Sequence, residues 1–181
     1  ANSSHYLLGE RLESCENTAA DFFNSSLQFK LFKESLEKAV YKTAFNKLYV
    51  IPAAAELAEL QPKLEAKYKV FKLAQALKDL IQKARFDEVV IDTPPAHKFY
   101  SMSALLAANR VLVPFDCDSF SASALSKVCE LVEEVAEDHN SELRVEGVVV
   151  NQFQVGAKLP QQTINELLSG GFPICKVFLS A

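Results

Sequence analysis

Glycine is scarce in this sequence, and none of it stands where a phosphate-binding loop needs it. Only five glycines occur, and no Gly-x-x-x-x-Gly-Lys arrangement is present in the 181 residues. Such a loop cradles phosphates with backbone N–H groups that glycine leaves accessible, and with a lysine. The printed sequence therefore contains no phosphate loop of the common nucleotide-binding type.

Cysteine and histidine are few and widely dispersed. The four cysteines stand at positions 15, 117, 129 and 175 without any Cys-x-x-Cys pair, and the three histidines form no cluster. This spacing argues against a disulfide framework and against a zinc site. We expect free thiols, buried or half-buried, in a reducing cytoplasm.

Long apolar runs, biased tracts and a strong excess of one charge are also missing. No apolar run approaches the ~18 residues that a membrane-crossing helix needs, and the start shows no secretory signal pattern. The formal net charge of -4 argues against a protein coated in basic residues, although a local basic patch remains compatible with it. The length suits one domain with a sizeable core, and we expect a single domain over residues 1–181.

Strand-like and helix-like patterns alternate along the chain. After a polar, irregular start (1–26), this alternation predicts an α/β fold, a mostly parallel sheet with helices on both faces. The predicted strands are 48–51, 86–92, 110–114, 145–150 and 174–179, and the predicted helices are 27–39, 53–60, 64–84, 101–109, 121–137 and 160–168.

The sharpest motif is Val-Val-Ile-Asp-Thr-Pro-Pro over residues 89–95. Three β-branched residues suit a parallel strand covered on both faces, and Asp92 would then end it at the edge where such sheets bind ligands. A carboxylate there is well placed to hold Mg²⁺, directly or through water. An aspartate that caps the following turn or helix is the plain alternative.

The stretch "FDEVVIDTPPAHKFYSMSALLAANRVLVPFDCDSFSASAL" resembles the ParA/MinD family of P-loop ATPases with a deviant Walker motif. In that family an acidic Walker B strand ends in Asp-x-Pro-Pro. The segments "LYVIPAAAELAEL", "VEGVVVNQFQVGAKLPQQTINEL" and "ANSSHYLLGE" are similar to further parts of the family pattern. The resemblance covers nearly the whole chain, and it places the missing phosphate loop upstream of Ala1. We therefore expect an N-terminally truncated domain, in keeping with a start that is not Met.

The resemblance implies roles for individual residues. Asp92 would be the catalytic residue and the Mg²⁺ ligand, direct or through water. Thr93 and Pro94, in the segment similar to the family's switch II loop, would contact the ATP cofactor. Asn151 resembles the adenine-recognising residue of the MinD branch, although an asparagine that opens a turn after a strand fits the pattern as well. Asp116 and Asp118 either line a partner surface or are simply solvated.

The resemblance also implies partners and a location. ParA-like ATPases partition plasmids or chromosomes, or position other cargo, as ATP-bound homodimers that bind DNA non-specifically and respond to a ParB-like partner. We expect such a protein in the cytoplasm, associated with the nucleoid. Seven basic residues between Lys63 and Arg85 suit phosphate contacts, but equally a solvated helix face. A non-catalytic interaction domain on the same scaffold and a MinD-like membrane-cycling ATPase remain the alternatives.

Overall fold

The computed structural model describes residues 2–29, 35–84, 86–94, 99–116, 119–151 and 158–179. It shows an α/β chain that divides into two compact units, residues 1–107 and 108–181. The α/β class expected from the sequence is confirmed. The prediction of a single domain stays a prediction, and the two units are described separately below.

The first unit is built mainly of helices. The helix α2 (Ala19–Leu27) begins with a capping box in which Thr18 accepts a hydrogen bond from the Ala20 N–H and the Asp21 carboxylate accepts one from the Thr18 N–H. The bounds are α1 Asn2–Leu8, a 3₁₀ helix Gly9–Ser14, α2 Ala19–Leu27, a 3₁₀ helix Leu36–Ala39, α3 Leu57–Ala66, α4 Lys72–Ala84 and α5 Phe99–Ala107.

The sequence-based prediction of an irregular start followed by a helix over 27–39 was wrong. Residues 1–26 contain α1 and most of α2, and within 27–39 only Leu27 and the short turn Leu36–Ala39 are helical among the described residues. The capping box explains the earlier start, because Thr18 and Asp21 satisfy orphan N–H groups at the helix N-terminus.

Two further predictions in this unit need correction. The predicted parallel strand over 48–51 is the two-residue strand β2 (Tyr49–Val50), which pairs antiparallel with β1 (Tyr41–Lys42). The predicted helix over 64–84 is two helices, because Tyr68 adopts a left-handed conformation (φ 51°) between α3 and α4. The Tyr68 N–H donates to the Glu65 carbonyl and the Lys69 N–H to the Leu64 carbonyl, the pattern of a Schellman helix end.

An aromatic cluster forms the centre of the first unit. Phe23 packs edge to face against Phe99 and Tyr100, with ring centroids 5.9 and 5.2 Å away. The fully buried Leu64 of α3 belongs to the same core, as does Leu77 of α4. Burial of these large side chains supplies the main stabilising free energy of the unit.

The second unit contains the parallel sheet. The strand β3 (Arg110–Asp116) leads through α6 (Ser119–Asp138) to β4 (Arg144–Asn151), and α7 (Lys158–Ser169) follows. β3 and β4 pair in parallel from Arg110–Arg144 to Asp116–Asn151. Both strands and the α6 and α7 helices were predicted, and Leu125, Val132 and Val135 of α6 are buried.

Close approach of the chain explains one glycine in β4. A Cβ added to Gly147 would lie 2.5 Å from the Cys175 Sγ. The Cys175 N–H donates to the Val148 carbonyl, and Ile174 forms a parallel bridge with Val148. The predicted strand over 174–179 is thus reduced to this one bridge, because residues 175–179 make only scattered hydrogen bonds to β4.

The segment that precedes Asp92 differs most from its prediction. Residues 86–92 form neither a helix nor a strand, and the described residues supply no strand that pairs with them. The Val90 side chain is 92% exposed, whereas Phe86 and Ile91 pack against the core of the first unit. The expected buried parallel strand is therefore absent here, because only one side of the segment has a packing partner.

Candidate functional site

Asp92 is exposed and is held by one side chain from the start of the chain. The hydroxyl of Ser3, on α1, donates a hydrogen bond to the Asp92 Oδ2 atom. The next residue, Ser4, is buried, and its Oγ accepts a hydrogen bond from the Ala53 N–H at 3.0 Å. The two adjacent serines therefore fix α1 against both the segment after β2 and the candidate catalytic carboxylate.

Thr93 and Pro94 follow Asp92 and are both exposed. The Pro94 carbonyl accepts a hydrogen bond from the Ser101 Oγ at 3.3 Å, which links this segment to the first turns of α5. Beside it on α5, the Tyr100 hydroxyl donates to the Leu57 carbonyl at 2.6 Å. Burial, together with the nearby Glu65 carboxylate, raises the pKa of Tyr100 to about 12. The start of the predicted switch segment, which spans residues 93–100, is therefore linked to α5.

Asn151 lies in the second unit, at the carboxyl end of β4. Its Nδ2 donates a hydrogen bond to the Asp116 Oδ1 at 3.1 Å, and the two residues form the last pair of the parallel register. Asn151 is half-buried and Asp116 is exposed. The structure thus brings Asn151 together with Asp116, while Asp92, Thr93 and Pro94 form their own group in the first unit.

Parts of the predicted site lie outside the described residues. These are residues 95–98 of the expected switch segment, Cys117 and Asp118 after β3, and the segment 152–157 after Asn151. The three described cysteines, Cys15, Cys129 and Cys175, are free and half-buried, as predicted.

The chemistry of the donors around Asp92 suits magnesium. Mg²⁺ prefers oxygen ligands and is usually bound by one or two carboxylates together with water and substrate phosphates. Asp92 offers an exposed carboxylate with the hydroxyl of Ser3 beside it. Across the described residues no group of three or more His, Cys, Asp and Glu side chains is arranged to hold a metal by itself. The donor set thus fits a phosphate-bound Mg²⁺ better than an all-protein metal cage.

The lysines that were predicted on one helix are distributed over α3, α4 and the turn between them. Lys67 Nζ donates to the Leu27 carbonyl at 3.0 Å, and Lys72 Nζ to the Gln75 Oε1 at 2.8 Å. Between them the ring of Tyr68 is 90% exposed. Arg85 lies outside the described residues.

An open cleft of about 470 Å³ in the first unit does not contain the predicted site residues. It is lined largely by polar side chains, among them Asp21, Glu56, Glu59 and Lys63. Among the helices that the structure describes, none is both long enough and apolar enough to cross a membrane.

Comparison with known proteins identifies the family. The pattern of the family described as "AAA domain" matches residues 8–145. That match covers most of the chain, and the related sequences include partition proteins of the ParA and Soj type. The chain therefore belongs to this family, among the ParA/MinD-type P-loop ATPases, as the sequence resemblance implied.

Two curated relatives come from Myxococcus xanthus. The chain is 28% identical over 133 residues to the chromosome partitioning protein ParA, which covers 73% of this chain and 46% of that protein. It is 32% identical over 148 residues to the cell division protein PomZ, covering 81% of this chain and 46% of that protein. The chain thus spans about half the length of these relatives.

A solved structure shares the fold. Cobyrinic acid a,c-diamide synthase from Mycobacterium smegmatis, with a bound ATP analog and magnesium, superposes with a TM-score of 0.75. The sequence identity is 19%, and the alignment covers 90% of this chain and 63% of that one. At this identity the likeness concerns the fold alone, and it confirms the P-loop NTPase-like architecture.

Sequence reasoning missed Ser3 as the partner of Asp92. The two residues are separated by 89 positions, and no local pattern around Ser3 points to the contact. Asp116 was noticed but not paired with Asn151. A usable signal did exist, because both residues follow strands that were predicted to run in parallel. Side chains at the carboxyl ends of neighbouring parallel strands lie close together.

Proposed function

We propose that the full-length protein is a ParA-like ATPase that partitions plasmids or chromosomes, or positions another cargo inside the cell. The observation that carries the proposal is the exposed carboxylate of Asp92, anchored by Ser3 and followed by Thr93 and Pro94. Membership of the ParA/MinD-type family supports it, since ParA-type members are ATPases.

In this proposal Asp92 holds Mg²⁺, directly or through a water molecule, and Thr93 and Pro94 lie along the bound ATP. The metal, when bound, would neutralise charge on the phosphates. The reaction is the attack of water on the γ-phosphoryl group, for which the protein mainly supplies positioning and electrostatic stabilisation. Asn151 would pair with the adenine base through one amide donor and one carbonyl acceptor.

The phosphate loop would come from a part of the full-length protein outside these residues. The exposure of Val90 supports this arrangement. A Val-Val-Ile run is typical of a strand that is covered on both faces, yet Val90 is 92% exposed, which suggests that a neighbouring segment of the full-length protein covers it. Without that loop the residues described here would not hydrolyse ATP. The segment that contains this loop would complete the single ParA-like domain that we expect over residues 1–181.

The proposed partners follow from the family. The ATP-bound form would be a homodimer in the cytoplasm that binds nucleoid DNA non-specifically, and a ParB-like protein would stimulate its ATPase activity. Lysines near Tyr68 are the candidate phosphate contacts. Replacing Lys67, Lys69 and Lys72 with Glu should lower DNA affinity and reduce the slope of log affinity against log salt by about 0.9 per lost contact.

Filter binding at several salt concentrations measures that slope. The matched control replaces Lys38, Lys42 and Lys47, which are exposed in the same unit, with Glu. An equal loss in both triple variants would indicate a general charge effect and place the DNA surface elsewhere.

The central test compares Asp92→Ala with Asp87→Ala in the full-length protein. Both aspartates are exposed and only five positions apart. Each variant therefore loses one negative charge and few packing contacts. Asp92→Ala should lower Mg²⁺-dependent ATP turnover at least about tenfold, equivalent to ~1.4 kcal/mol in the barrier, whereas Asp87→Ala should stay near wild type. Unchanged turnover in Asp92→Ala would remove Asp92 from the mechanism. If the wild-type protein bound no ATP, a non-catalytic interaction domain on this scaffold would be the better description.

A further inference from the structure

Asp116 and Asn151 form a polar pair at the carboxyl edge of the parallel sheet. They are the last residues of β3 and β4 and lie opposite one another in the register. The Asn151 Nδ2 donates to the Asp116 Oδ1 at 3.1 Å. Ligands of open parallel sheets bind beyond this edge, so the pair stands where a nucleotide would be expected.

The chemistry of the pair determines which way the Asn151 amide faces. An ionised carboxylate only accepts hydrogen bonds, whereas an amide has a donating nitrogen on one side and an accepting oxygen on the other. If the amide rotated by half a turn, Oδ1 would face the Asp116 carboxylate, and two acceptors would oppose each other without a proton. Asp116 therefore stabilises one of the two amide orientations.

The fixed amide still has hydrogen-bonding capacity to offer. Its second N–H and its Oδ1 have no hydrogen-bond partner among the residues that the structure describes, and the side chain is only half-buried. One donor next to one acceptor complements an adenine edge, where a ring nitrogen accepts and the 6-amino group donates. Guanine presents the reverse order on its Watson–Crick edge, with an accepting 6-oxygen beside a donating ring N–H.

We infer that Asp116 is a positioning residue that selects adenine over guanine by holding the amide of Asn151 in one orientation. The inference rests on the proposed function, in which Asn151 contacts the base of ATP. Asp116 itself does not need to touch the nucleotide. Without Asp116 the Asn151 amide could rotate and pair with either adenine or guanine. The ratio of the ATP and GTP affinities should therefore change more than the affinity for ATP itself.

The test measures the affinities of the full-length protein for ATP and GTP by equilibrium competition with Mg²⁺ present. Asp116→Ala removes the acceptor, and it should reduce the preference for ATP over GTP about tenfold, within the range known for loss of one bidentate base contact. Asp116→Asn places a donor as well as an acceptor beside Asn151, so it can satisfy either orientation of the Asn151 amide and should also lose most of the preference. Asp138→Ala, an exposed residue at the end of α6, controls for the loss of one negative charge.

A second variant tests the orientation directly. In Asp116→Asn combined with Asn151→Asp, the donor and the acceptor of the pair are exchanged, and the carboxylate at position 151 can only accept. Such a group suits the two adjacent N–H donors of guanine, so the preference should shift toward GTP. Thermal unfolding of each variant checks that the fold is retained, which is expected because Asp116 is exposed at a strand end.

The possible outcomes separate this inference from the proposed function. If wild type prefers ATP and Asp116→Ala keeps the same ATP-to-GTP ratio, Asp116 does not select the base, while the ATPase proposal is unaffected. If wild type binds neither nucleotide, both are overturned. If Asp116→Ala weakens ATP and GTP equally, the residue has only a structural role, and this inference is wrong.

Discussion

The Ser3 hydroxyl donates a hydrogen bond to the carboxylate of Asp92, across 89 positions of the chain. Ser4 beside it anchors the same helix through the Ala53 N–H. The residue proposed to hold Mg²⁺ is therefore tied to the segment "ANSSHYLLGE", which resembles a part of the family pattern. A change of conformation at the start of this chain would reach Asp92 through a single side chain.

Ser3→Ala tests this coupling. It should lower the free energy of unfolding by about 0.5–1.5 kcal/mol, the usual net contribution of one hydrogen bond, with the low end expected for an exposed pair. In a double-mutant cycle with Asp92→Ala, the two effects should be less than additive, because either change removes the same interaction. Urea unfolding gives all four values. Strict additivity would mean that the contact contributes nothing.

Gly147 and Cys175 make the second pair that can be tested. Gly147→Ala would bring a Cβ to 2.5 Å from the Cys175 Sγ, so the chain must shift, at a cost of about 1–3 kcal/mol. In a Cys175→Ala background the Sγ atom is absent. The destabilisation caused by Gly147→Ala should then be less than half of its value in the wild-type background. Equal costs in both backgrounds would show that another contact, such as the Pro173 carbonyl, is limiting.

The raised pKa of Tyr100 predicts a pH dependence of stability. In the folded state burial raises the pKa from 10.0 to about 12, so the neutral hydroxyl is favoured by folding. This contribution is complete below pH 10.0 and is lost as the pH rises toward about 12. The difference in unfolding free energy between wild type and Tyr100→Phe should therefore shrink over that interval.

Denaturant titrations at a series of alkaline pH values measure this difference. Tyr6→Phe, at a tyrosine that is 79% exposed, controls for the replacement of a tyrosine as such. A difference that stays constant with pH would contradict the shifted pKa and leave only the hydrogen bond to the Leu57 carbonyl.

The turn after α3 carries strain that a single substitution should relieve. Tyr68 occupies a left-handed position (φ 51°) and its ring is 90% exposed, so packing offers little compensation. Tyr68→Gly should raise the free energy of unfolding by up to about 1 kcal/mol, because glycine adopts this conformation without steric cost. Gly171, at φ 81°, ends α7 with the same hydrogen-bond pattern. Gly171→Ala should therefore lower the free energy of unfolding. A destabilised Tyr68→Gly variant would mean that the ring makes a stabilising contact.

Local sequence patterns determined the second unit well. The alternation of strand-like and helix-like patterns predicted β3, β4, α6 and α7 to within a few residues. Many apolar positions of these elements are buried, so the sequence pattern reflects the burial. The motif at Asp92 and the asparagine that ends β4 also pointed to the correct family from residue identity alone.

Only the tertiary structure decided which residues meet. The Ser3–Asp92 contact depends on how two distant segments pack, and the Asp116–Asn151 pair depends on the register of β3 and β4. Neither can be read from the periodicity of the sequence. The left-handed turn at Tyr68 interrupts a predicted helix. Leu64 of α3 and Leu77 of α4 are both buried in the core of the first unit, and tertiary packing of this kind overrides local helix propensity. The run Val89–Ile91, in which Val90 is exposed, gives the clearest case. Its β-branched residues predict a strand, but a strand forms only where a neighbouring segment supplies the hydrogen bonds.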